Sequence, residues 1–70
     1  MKAYNIEQAS RVVTEPQILI NMVSRRVRQL NSGSRPLVDV DLGTGLADVA
    51  LMEISQGKIV LSDLSEPATA

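Results

Sequence analysis

Apolar residues recur at helical spacing in three stretches of the chain. In the first, Ile6, Ala9, Val12 and Val13 fall three or four residues apart or side by side on one face. Asn5 precedes them and Gln8 sits three residues on, which is the spelling of a capping box. The pattern predicts a helix over about 5–13. Thr14 and Gln17 repeat the box, Pro16 falls in the first turn where its missing N–H is harmless, and Glu15 suits the positive end of the dipole. A second and longer helix is predicted over roughly 14–31, stopped by Asn31-Ser32-Gly33-Ser34. Leu46, Val49, Ala50 and Ile54, with Leu51 alongside, predict a third over roughly 46–56, with Gly57 as its C′ residue and Lys58 at its negative end. Between the last two helices, residues 32–45 read as an extended connector, since Pro36 disfavours helical backbone at Arg35. Ile59-Val60-Leu61 reads as a brief extended run, and 62–70, with Pro67, as a frayed, flexible tail. The expected fold class is all-α: a small bundle of about three helices forming one domain over 1–61.

On a helical wheel, Ile18, Leu19, Ile20, Met22, Val23, Val27 and Leu30 of the second helix cover more than half the circle. That arc is wider than a lone surface helix uses, so more than one surface is expected to pack on it. Arg26 falls inside the arc. Either its stem packs while its head reaches water, or an acidic group on a partner enters the arc to meet it.

Composition narrows the chemistry. The chain has 70 residues, near the lower size for independent folding. Its apolar fraction of 44% is too high for compositional disorder, yet Tyr4 is the only aromatic, so the core must be aliphatic. There is no Cys to staple it or bind metal, and no His to act as a general base. A small unstapled core favours a subunit or binding module over a free-standing enzyme. The N-terminal stretch MKAYNIEQAS lacks the apolar region of a signal peptide, and no run approaches a membrane span, so a cytoplasmic location is expected. Through Val38 six basic residues face two acidic ones, a net of +4; from Asp39 on, Lys58 faces six acidic residues, a net of −5. Such asymmetry suits either a charged partner surface or mutual neutralisation of the two halves.

Residues 37–51, LVDVDLGTGLADVAL, resemble the strand, glycine turn and helix of a cofactor-binding α/β enzyme, with Asp-x-Gly-x-Gly as in class I methyltransferases. A parallel crossover takes about 30 residues, and too few follow to build one, so Gly43 and Gly45 read as a loop hinge. Asp39-x-Asp41 does not open a calcium loop, because Ala50 stands where a bidentate Glu is needed. Arg25, Arg26 and Arg28, with Arg35 beyond, offer phosphate contacts, and a small helical nucleic-acid-binding module is the alternative reading. No aromatic accompanies them for stacking.

From Leu19 to Val38, LINMVSRRVRQLNSGSRPLV resembles the signature helix and loop of the omega subunit of bacterial DNA-directed RNA polymerase. The matching positions are Arg25, Arg26, Arg28, Gln29, Pro36, Leu37 and Val38. A later helix of the same family is matched by Val49, Ala50, Leu51, Glu53, Ile54 and Gly57. The resemblance spans about residues 4–60. It implies a mostly helical, non-catalytic subunit that clasps the largest (β′) polymerase subunit and aids its folding and assembly into the core enzyme. Through β′ it would meet the alpha, beta and sigma subunits, and DNA only indirectly, at the nucleoid. Neither cofactor, metal nor small-molecule substrate is implied. The expected partner interface is Arg25, Arg26, Arg28, Gln29, Pro36, Leu37, Val38, Ala50, Leu51 and Ile54, with Arg26 meeting a partner acid or carbonyl. Some members of that family help bind guanosine tetraphosphate through a basic third residue. Here that residue is Ala3, and the site is not carried over.

Overall fold

The computed structural model of the chain describes residues 2–64, apart from the side chain of residue 63. It contains α1 (Ala3–Val12), α2 (Pro16–Asn31) and α3 (Leu46–Ser55), followed by a short 3-10 turn at Leu61–Leu64. No strand occurs among the described residues, in keeping with the all-α expectation.

The helix starts differ from the capping pattern. α1 begins two residues before Asn5, with Lys2 at the cap position and Ile6 N–H donating to the Lys2 carbonyl at 3.2 Å. Asn5 therefore lies inside the first turn and its amide turns to another helix. α2 starts after Glu15 rather than Thr14, and neither cap carries a side-chain hydrogen bond. At α2 the ring of Pro16 presets the first helical φ, so the start needs no side-chain cap. The helix stops follow the sequence closely. Gly33 N–H donates to the Leu30 carbonyl and Ser34 N–H to that of Gln29; Gly57 N–H donates to Ile54 and Lys58 N–H to Glu53. Each is a Schellman motif, which requires a left-handed residue, and Gly33 (φ 112°) and Gly57 (φ 72°) supply it.

α3 occupies the middle of the fold. It packs against both α1 and α2, which touch each other little. Its Val49, Ala50, Leu51 and Ile54 are buried, joined by Ala9 from α1 and by Leu19, Met22 and Leu30 from α2. Ala50, Leu51 and Ile54, expected at a partner surface, thus face the chain's own core and present none of their side chains outward. The tail expectation also changes at its start. Ile59 and Leu64 are buried in the same core, so the chain remains part of the fold past residue 61, and Leu61, expected to end a brief extended run, begins a 3-10 turn. Residues 65–70 of the expected tail lie outside the described residues.

More than one surface was expected to pack on the apolar arc of α2, and it meets α3, the 3-10 turn and, more lightly, α1. Ile18 and Ile20 nevertheless stay exposed.

Candidate functional site

One buried polar node joins α2, α3 and the connector. Arg26 sits in the apolar arc of α2, and Glu53 sits on the buried face of α3, four residues after Val49 and three after Ala50. The crossing of the two helices brings them together. Arg26 Nε donates to Glu53 Oε1 at 2.7 Å and Nη2 to Oε2 at 2.8 Å, a two-pronged charge-assisted pair. Their side chains are 6% and 0% exposed. Arg26 neither reaches out to water nor waits for a partner's acid: the acid it meets is on its own chain. The carbonyl it meets is also its own, since Nη2 donates to Arg35 O at 3.1 Å. Nη1 donates to Gln29 Oε1 at 2.8 Å. Glu53 Oε2 accepts a further bond from the Leu37 N–H at 2.9 Å.

Every buried side-chain nitrogen or oxygen among the described residues has a partner. That completeness is what a buried pair needs, because an ion removed from water is costly unless its remaining donors and acceptors are met. The sequence reading missed Glu53 as this partner. The signal was present: one acid inside the apolar arc of the third helix and one arginine inside that of the second.

The remaining expected interface residues separate. Arg25 is half-buried and its Nη1 lies 3.5 Å from the Leu64 carbonyl. Arg28 and Pro36 are exposed, Gln29 and Val38 half-buried. Leu37 keeps about half of its surface in solvent, at 51%, although its N–H is held by the buried carboxylate. The glycine loop is a tight turn, Thr44 N–H donating to the Asp41 carbonyl, followed by Gly45 at the N-cap of α3. Among the described residues no group of three His, Cys, Asp or Glu is placed to hold a metal ion, and no helix is long and apolar enough to cross a membrane.

A second polar contact fastens the start of the chain. Asp48 Oδ1, in the first turn of α3, accepts from the Lys2 N–H at 2.8 Å and from Asn5 Nδ2 at 3.1 Å. The Lys2 backbone bond, then the Asn5 amide, holds the Asp48 carboxyl below the usual aspartate range. A carboxyl depressed by folding contributes stability above its unfolded value, about 3.9, and that contribution disappears as pH falls through the lower folded value. Asp48→Asn, which keeps the shape without the charge, should therefore lower the urea midpoint at pH 7. The deficit relative to the parent should shrink as pH falls below the ordinary aspartate range. A deficit of the same size at pH 7 and below that range would mean that ionised Asp48 is not what holds the contact.

The fold and its node define a small all-α domain in which a buried arginine–glutamate pair braces two helices and the connector between them. Residues 18–60, which contain both members of the pair and the whole connector, match the family model for RNA polymerase Rpb6. Relatives named DNA-directed RNA polymerase subunit omega include that of Wolinella succinogenes, 31% identical over 67 residues and 94% of each chain. That of Helicobacter hepaticus is 37% identical over 57 residues, 80% of this chain and 77% of its own. That of Campylobacter jejuni is 48% identical over 46 residues, 64% of this chain and 62% of its own. The chain belongs to the RNA polymerase Rpb6 family, among the omega subunits of bacterial DNA-directed RNA polymerase. No solved structure matches it.

Proposed function

We propose that this accessory subunit of RNA polymerase is non-catalytic and acts by clasping the largest (β′) subunit, promoting its folding and assembly into the core enzyme. The observation that carries the reading is the unfinished apolar surface of α2. Ile18 and Ile20 stay exposed on the two flanks of an apolar arc that continues past the helix's own core, and Ile6 of α1 borders the Ile20 flank. Arg25, Arg28, Gln29, Pro36, Leu37 and Val38 are the contacts proposed for β′, and the alpha, beta and sigma subunits are reached through it. Such a role puts the chain in the cytoplasm, at the nucleoid wherever polymerase works.

The nucleic-acid alternative is disfavoured by the same geometry. Of the arginines at 25, 26 and 28, Arg26 is consumed by Glu53 and Arg25 leans on Leu64, which leaves no continuous basic stripe for a phosphate backbone. The test is reconstitution. The full chain mixed with polymerase prepared without it should co-elute at one copy per enzyme and cross-link to β′, while the chain alone shows no salt-sensitive affinity for DNA. Cross-linking confined to another subunit, or steeply salt-dependent DNA binding by the chain alone, would overturn the proposal.

A further inference from the structure

We infer that the Arg26–Glu53 pair is a positioning device for polymerase binding: it fixes the main chain of residues 35–37 so that Leu37 is held out as an apolar contact. The inference rests on the proposed docking of the connector on the polymerase, and goes beyond it by assigning the task to two residues that no partner can touch.

Three observations meet at the pair. Its hydrogen bonds run past the ion pair to two main-chain groups of the connector, the Arg35 carbonyl through Arg26 Nη2 and the Leu37 N–H through Glu53 Oε2. These two groups flank Pro36, whose ring already restricts its own φ and the backbone of Arg35. Three successive residues of an otherwise helix-free stretch are thereby clamped from both ends. The side chain between solvent and clamp is Leu37, apolar and half-exposed. Nothing in the fold requires a leucine there to be held so firmly, since its side chain is not part of the core. Finally, a buried ion pair is a poor way to gain stability, because apolar residues of similar volume often serve as well. What an apolar pair could not do is accept the Leu37 N–H and donate to the Arg35 carbonyl. Gln29, a turn after Arg26 on the same helix, keeps the guanidinium aimed at the connector by accepting from Nη1.

The pair therefore acts through the connector. If the clamp is lost, the connector must be ordered when it docks. Releasing a single backbone residue corresponds to roughly five- to thirtyfold in affinity.

The experiment compares three full-length variants with the parent, reading amide hydrogen exchange and affinity for polymerase prepared without this subunit. Leu37→Ala removes the contact and keeps the clamp: its own amide should stay protected while affinity falls. Glu53→Gln has one oxygen where the carboxylate has two, and should expose the Leu37 amide and lower affinity about tenfold. The double variant Arg26→Met with Glu53→Leu restores an apolar core without the clamp. It should keep the amides of α2 and α3 protected, expose that of Leu37, and lose affinity to a similar degree. This variant carries the test if Glu53→Gln does not fold. Unchanged affinity in Leu37→Ala would remove the docking of the connector itself. Reduced affinity in Leu37→Ala, with parental affinity in a folded clamp-less variant, would overturn the positioning role alone. A Leu37 amide that exchanges freely in the parent would overturn it too.

Discussion

Arg26→Ala is expected to unfold at urea concentrations at which the parent is still fully folded. The substitution strands Glu53, whose side chain is 0% exposed, as an uncompensated carboxylate in an apolar core. Breaking a buried pair from one side costs about 3–5 kcal/mol. It also empties the volume of the arginine stem and releases Gln29 and the Arg35 carbonyl. A domain of this size holds roughly 4–10 kcal/mol in all, so the loss is a large part of the total. Arg11→Ala is the control. Arg11 pairs with Glu7 one turn away at 3.2 Å with both side chains about two-thirds exposed, and such pairs contribute about 0.3–0.5 kcal/mol. Helical circular dichroism through a urea titration separates the two. Midpoints for Arg26→Ala and Arg11→Ala that agree would show that the pair is not buried as described. Arg26→Met with Glu53→Leu should recover much of the loss, because the cost lies in the stranded charge.

Ile54→Ala has the second largest expected effect, about 2–5 kcal/mol of stability. Ile54 has no exposed surface and stands in the same cluster as Met22, Leu51, Ile59 and Leu64. Removing its outer carbons leaves a cavity that three short helices cannot close, since each is already seated on its neighbour. Ile20→Ala is the comparison. At 57% exposure it should change stability by no more than about 0.5 kcal/mol, and its effect should appear in polymerase affinity instead. The denaturation midpoint and the affinity thus divide the apolar residues into core and contact. A stable Ile54→Ala chain that loses affinity would return Ile54 to the partner surface.

That division was the hardest thing to read from the linear chain. Ala50, Leu51 and Ile54 formed a convincing apolar face, but a face alone does not say whether it meets the same chain or another. The answer depends on α3 lying between α1 and α2, and nothing within α3 encodes its neighbours on both sides. Leu37 shows the converse: an apolar residue in a loop, expected from the sequence at a partner surface, that stays half-exposed in the fold. Capping boxes misled for a related reason. Asn5 had the right type and spacing for a cap, but α1 starts two residues earlier, and the Asn5 amide donates to Asp48, 43 residues away in the chain.

By itself the sequence determined that the fold is all-α, that three α-helices occupy the described residues, and where two of them stop. Those features follow from interactions within a few residues: apolar spacing along one face, Pro16 at a first turn, Gly33 and Gly57 beyond a last turn. It also carried enough matched positions to name the family. Only the tertiary structure decided which apolar faces are core, that the chain is still packed at Leu64, and that Arg26 is answered by Glu53. That pair is 27 residues apart in the chain, and its meeting is set by how two helices cross. Local spacing shows that each charge lies on an apolar face; the packing of those faces shows that they face each other, and that their remaining bonds reach the connector.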